Sequence, residues 1–148
     1  MEHDAAITII TDPSFREHDT GGNDHPEAPE RLQVIRDRLE ASLLASSLGF
    51  QAPRPAERSE LLAFHTEGWV FRFEEAVLSG RTYIDHPDNQ VCYESYRIAT
   101  LSAGSGITGV DIAEQRPGSV LFCLTRPPGH TPSPTCPTGS ASSTTALL

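Results

Sequence analysis

Short apolar runs alternate with stretches broken by Pro, Gly and acids, and this pattern predicts a β-α-α-α-β order. Residues 6–11 are a β-branched run stopped by Asp12-Pro13, which reads as a first buried strand. Residues 15–24 read as a loop with turn chemistry at Gly21-Gly22. Pro29 is placed like a first-turn proline and Glu30 suits the positive end of a helix dipole. A helix is therefore expected to about Leu44, with Leu32, Ile35, Leu39 and Leu43 as its core stripe and Gly49 in the position of a C-terminal cap. Residues 51–57, with two prolines, are a connector, and residues 59–64 a short helix. Thr66 looks like the N-cap of a further helix that buries Trp69 or Val70, Phe73 and Val77 and ends at Gly80.

Residues 83–89 read as a polar loop broken by Pro87. A long helix follows over residues 93–114, with a face of small residues (Ala99, Ala103, Gly106, Gly109, Ala113) that would allow close approach to a sheet. Gly104 to Gly109 matches the dinucleotide pattern G-x-G-x-x-G. That fingerprint also needs an acid about 20 positions later, and no Asp or Glu follows Glu114, so the nucleotide reading is rejected. The apolar run after Val120, bounded by Arg126-Pro127-Pro128-Gly129, reads as a buried strand of a parallel sheet. Open α/β sheets collect their chemistry at the carboxyl ends of such strands. The two prolines and Gly129 would mount His130 on a stiff strand-end loop. That histidine reads either as a proton-transfer imidazole or as an ordinary structural one.

Composition narrows the field. Acids outnumber bases 20 to 11, for a net charge of −9, which argues against direct nucleic-acid binding. Cys92, Cys123 and Cys136 have no paired spacing, which suits a reducing cytoplasm and argues against a disulfide framework or a CxxC zinc site. No apolar run approaches membrane-spanning length, and the acidic start is unlike a secretory signal. His18, Asp19 and His25 could be read as a loop metal site, but no third ligand stands at a defined spacing. Residues 131–148 hold five Thr, four Ser and three Pro with no charge, the composition of a flexible tail.

Several stretches in order resemble the histone deacetylase superfamily, which includes acetoin-utilisation proteins and acetylpolyamine amidohydrolases. Asp12-Pro13, then His18-Asp19-Thr20-Gly21 and His25-Pro26-Glu27-Ala28-Pro29-Glu30-Arg31-Leu32, resemble its opening. Leu62-Ala63-Phe64-His65-Thr66 resembles a helix junction, and Leu101 to Gly104 the helix before a strand. Arg126-Pro127-Pro128-Gly129-His130 resembles the first half of the active-site signature R-P-P-G-H-H-A. The resemblance implies an α/β fold, a three-layer α/β/α sandwich around a mostly parallel sheet, here C-terminally truncated. It implies hydrolysis of acetyl-lysine or acetylated amines with one Zn²⁺, which polarises the amide carbonyl and acidifies a water. By the same resemblance His130 matches the first of two catalytic histidines, Arg31 an arginine lining an internal channel, and Asp88 a rim aspartate that grips substrate.

Departures from the family pattern set further expectations. The second histidine falls on Thr131, and the family's zinc ligands and oxyanion tyrosine map past residue 148, so no metal ligands and no cofactor are expected in this chain. Residues 1–130 are expected to be the N-terminal part of a deacetylase-like domain and 131–148 a low-complexity tail. The family continues G-H-H-A and then G-F-C-x-F-N-N. With serine codons of the TCN kind, residues 139–145 read one base earlier can spell that second motif. Given a CAC codon for His130, the same shift turns Thr131 into His and can turn Pro132 into Ala, so a one-base deletion is expected near codon 130. Three readings follow. The first is an inactive deacetylase fragment. The second is an acidic interaction module on the half-fold, and the third a small enzyme whose metal is held by His18, Asp19, His25 and His130.

Overall fold

The computed structural model describes residues 6–21 and 27–128, with the side chains of His86 and Asp88 also outside the description. Strand β1 (Ile7–Ile10) is central in a three-stranded sheet of order β2-β1-β5, flanked by β2 (Leu48–Gln51) and β5 (Val120–Cys123), both parallel to it. Ile9 stands opposite Phe50 and Phe122, and Ile10 opposite Gln51 and Cys123. Alternation along β1 sends Ile9 and Ile10, both buried, to opposite faces of the sheet.

Helix α1 (Glu30–Glu40) covers one face: Leu32 and Leu39 pack with Ile9 and Leu48, and the Arg36 guanidinium lies 4.7 Å over the Phe50 ring. Helix α4 (Ser95–Gln115) covers the other, where a Cβ on Gly109 would meet the Ile10 side chain at 3.3 Å. Helices α2 (Arg58–Leu62) and α3 (Glu67–Leu78) pack beyond α4, burying Leu61 and Val70 against its Ala103 and Ile107. These three layers are an α/β sandwich, as expected. Phe15, in a one-turn 3-10 helix after β1, is fully buried and joins Ile9 and Leu32 to Ile98 and Leu101 of α4.

Local signals fix α3 closely. The Thr66 hydroxyl accepts from Trp69 N–H at 3.3 Å, and Gly80 takes φ +73 past the helix end. Gly80 N–H bonds to Val77 C=O and Arg81 N–H to Ala76 C=O, the paired bonds of a Schellman stop. Elsewhere the sequence expectations need correction. Helix α1 stops at Glu40, so Leu43 lies outside it and is fully exposed, and Ile35 is partly exposed; only Leu32 and Leu39 of the stripe join the core. Gly49 ends no helix: it lies inside β2, where its backbone pairs with Thr8.

Residues 83–89 are not a loop. They form an antiparallel hairpin of β3 (Tyr83–Ile84) and β4 (His86–Gln90), with Ile84 buried and Asp85 at φ 58 in the turn. On α4 the expected small face is half right. Ala99 and Gly109 are buried, Gly106 and Ala113 are exposed, and the tightest position is Gly104, where a Cβ would collide with the Arg54 carbonyl oxygen. The dinucleotide-like glycines lie wholly inside this helix. Strand β5 exists but is not buried on both faces, because α1 shields only the β1–β2 half of the sheet; Val120 is 56% and Phe122 49% exposed.

Candidate functional site

The carboxyl ends of β1 and β5 lie side by side. Leu124 N–H donates to Ile10 C=O at 2.9 Å, and Thr11 Oγ1 donates to Leu124 C=O at 2.8 Å. Just beyond, three loops converge on a buried polar network. Arg126, 3% exposed, donates from Nε and one terminal nitrogen to the two oxygens of Glu27 at 2.5 and 2.6 Å, and from its other terminal nitrogen to Phe15 C=O at 3.3 Å. This fork fixes the exit of β5 to the segment entering α1. Burial pushes the Glu27 carboxyl up, but the Arg126 hydrogen bonds and charge, with His18 and Arg31, outweigh it and hold the pKa below the ordinary glutamate value.

His18 lies on the same network. Its Nε2 is 4.0 Å from Glu27, and its Nδ1 is 2.8 Å from Ser95 Oγ at the start of α4. Ser95 Oγ also accepts from Cys92 N–H at 2.7 Å and donates toward the Cys92 sulfur at 3.4 Å, so the hydroxyl is engaged by both Cys92 and the His18 ring. Burial drives the His18 pKa down, against the raising influence of Glu27. Glu27, His18 and Ser95 thus stand in the order of an acid–base–nucleophile relay. The hydroxyl is fully buried, however, and it is occupied on both sides. The arrangement holds loops together and offers no nucleophile to a substrate.

The structure treats the sequence candidates unequally. His130 and His25 lie outside the described residues. Arg31 is exposed in the first turn of α1, and its charge helps to hold Glu27 ionised. Asp88 falls within β4, but its side chain lies outside the description. His18 and Asp19 do not converge: Asp19 is exposed and its carboxylate accepts from Gly21 N–H at 2.9 Å. Among the described residues no three His, Cys, Asp or Glu side chains come together as a metal would require.

A cavity of about 80 Å³ opens between α1 and the strand ends, floored by Leu32 and Leu124 and edged by Arg16 and Arg36. It holds a few waters at most, well below the roughly 300 Å³ of a small-molecule site. Sequence reading quoted Glu27 and Arg126 within motifs but gave neither a role. The available signal was a charged residue wedged between an apolar strand and two prolines, a position that needs a counter-charge.

Two of the quoted motifs, distant in sequence, therefore meet at one strand-end junction. Comparison with known proteins gives that junction a family: the model described as "Histone deacetylase domain" matches residues 25–139. The chain belongs to the histone deacetylase family. It is 31% identical over 106 residues to the histone deacetylase-like amidohydrolase of Pseudomonas aeruginosa, covering 72% of this chain and 28% of that protein. It is 29% identical over 138 residues to histone deacetylase 8 of Arabidopsis thaliana, covering 91% and 36%. The fold superposes on the crystal structure of the HDA15 HD domain with a TM-score of 0.71 at 26% identity, over 83% of this chain and 36% of that one. This deacetylase-family chain spans about a third of the length of the relatives it matches. Among the described residues no helix is long and apolar enough to cross a membrane.

Proposed function

We propose that residues 1–130 are the N-terminal part of a zinc-dependent deacetylase domain that acts on acetyl-lysine or acetylated amines in the cytoplasm, and that this chain is inactive as it stands. The observation that carries the reading is the Glu27–Arg126 fork. It joins the His25-Pro26-Glu27 motif to the Arg126-Pro127-Pro128-Gly129-His130 motif at the strand ends, where α/β enzymes assemble their sites. In the complete domain His130 is the general base, Arg31 lines a channel and Asp88 grips the substrate backbone. The inactive reading is drawn from Thr131, which stands where the family's second histidine falls, so the proton-handling pair is incomplete. Residues 131–148 are read as an out-of-frame tail created by a one-base deletion near codon 130.

Three measurements test this reading. Sequencing the encoding DNA should give codons that restore G-H-H-A and G-F-C-L-F-N-N one base earlier; any other codons remove the frameshift. Metal analysis of the purified 148-residue chain should find no stoichiometric zinc. Deacetylase turnover by that chain, abolished by a chelator, would show a working metal site and overturn the inactive reading in favour of a small complete enzyme. The second reading, an acidic interaction module, draws on one specific observation, the edge of β5, which no further strand pairs with among the described residues.

A further inference from the structure

One buried hydroxyl proton has two groups within reach. Ser95 Oγ, fully buried at the start of α4, lies 2.8 Å from His18 Nδ1 and 3.4 Å from Cys92 Sγ, and it accepts the Cys92 N–H at 2.7 Å. A serine hydroxyl has one proton to donate and two lone pairs that accept. It cannot donate to the imidazole and to the thiol at once. Which of them it serves depends on whether Nδ1 carries a proton.

We propose that His18, Ser95 and Cys92 form a pH-sensitive switch, in which protonation of the buried imidazole turns the Ser95 hydroxyl from the ring to the Cys92 sulfur and raises the reactivity of that thiol. In the neutral state the Glu27 carboxylate, 4.0 Å from Nε2, repels a bare lone pair, so the ring keeps its proton on Nε2 and Nδ1 accepts from Ser95. The sulfur then has only its own contact, an S–H donated to the Glu17 carbonyl at 3.5 Å. In the charged state Nδ1–H donates to Oγ, which accepts from both His18 and Cys92 N–H and gives its proton to Cys92 Sγ. The exchange takes up one proton at Nδ1 and rotates one O–H; the hydroxyl is fully engaged in either state, so nothing has to be expelled from the core.

The charges around the ring come from three sides. Glu27 stands ahead of α1, Arg126 after β5, and Asp19 in the loop of His18 itself; α4 meets the ring with the Ser95 hydroxyl, while its Arg97 pairs with Glu17 at the surface. Burial opposes the charged ring, Glu27 favours it, Arg126 opposes it and Asp19 favours it, and the balance sets the exchange below pH 6.5. The thiolate is the reacting form of a cysteine, and both a donated hydroxyl and a nearby imidazolium favour it. Acidification silences an ordinary thiol; at half-buried Cys92 the switch offsets part of that loss.

The test is the rate at which iodoacetamide alkylates each cysteine of the full chain, forming the S–C bond and releasing iodide. Rates are read peptide by peptide by mass spectrometry from about pH 8 to about pH 5, wherever circular dichroism shows the chain folded. An ordinary thiol slows about tenfold per pH unit. Cys92 is expected to slow by less than that through the His18 titration, ending about three- to tenfold above the extrapolated line. Exposed Cys123, whose sulfur faces the Ser105 carbonyl, should follow the straight line in the same sample. Ser95→Ala removes the bridge and His18→Asn removes the titration, and each should return Cys92 to the straight line. A straight profile for Cys92 in the unaltered chain would overturn the proposal without recourse to any variant. A shoulder shared by Cys123 would mean general loosening in acid, and one that survives Ser95→Ala would mean that the ring charge acts without the hydroxyl; either would also overturn it.

Discussion

Replacing Glu27 by Gln keeps the side-chain shape and removes its charge, and the fork with Arg126 makes the consequence calculable. In the native chain Arg126 is 3% exposed, with two carboxylate oxygens at 2.5 and 2.6 Å and the Phe15 carbonyl at 3.3 Å. Glutamine offers one acceptor and turns an NH₂ toward the guanidinium, donor against donor. One charge-assisted hydrogen bond is lost, about 1.5–3 kcal/mol. Leaving a buried cation uncompensated raises the total to about 3–5 kcal/mol. The Glu27 side chain is itself 15% exposed, so water reaches part of the site and the lower end, about 3 kcal/mol, is expected. At about 4 °C per kcal/mol for a chain of this size, Tm should fall by about 12 °C, read by circular dichroism in parallel with urea unfolding. A double-mutant cycle isolates the pair: Arg126→Met added to Glu27→Gln should cost far less than Arg126→Met alone. A loss below about 1 kcal/mol for Glu27→Gln, or simple additivity in the cycle, would mean that the fork is open in solution and refute the reasoning.

Two further predictions concern acid and close packing. The folded state lowers the His18 pKa from 6.5, so the unfolded chain binds more protons between the folded value and 6.5, and stability should fall as pH drops below about 6.5. Glu27, lowered from 4.5, loses its contribution at still lower pH, so both groups make acid destabilising. His18→Asn, which keeps a polar atom near Ser95 Oγ but does not titrate, should flatten the urea midpoint between pH 7 and the onset of the Glu27 effect; an unchanged slope there would remove His18 as its source. Gly104→Ala forces a methyl group into the Arg54 carbonyl and should cost about 1–3 kcal/mol, whereas Gly106→Ala, with nothing within 4 Å, should raise helix stability by about 0.5–1 kcal/mol; thermal melts of the two variants should move in opposite directions.

What could be read from the residues was mostly what local chemistry decides. Helix α3 was legible because the Thr66 cap, the Val70-Phe73-Val77 spacing and the Gly80 stop all lie within a few residues of one another. Strand β2 was not, since Leu48-Gly49-Phe50-Gln51 has no alternation and owes its form to pairing with β1, some forty residues earlier. Pro87 likewise disguised a hairpin whose order rests on buried Ile84 and on Asn89, whose side-chain amide donates to Ile84 C=O. At the candidate site the motifs were visible, but the Glu27–Arg126 contact spans 99 residues and depends on two strand ends being neighbours. The family resemblance reached the right fold class without revealing which side chains hold it together.

The central place of β1 bears on how the chain is made. It leaves the ribosome before both of its neighbours, and one of them, β5, comes about 113 residues later, the span bridged by the Thr11–Leu124 bond. At roughly 5–20 residues per second, Ile10 and its flank wait about 6 to 23 seconds for that neighbour. During translation the nascent chain therefore presents a β-branched segment to chaperones until β5 has been made.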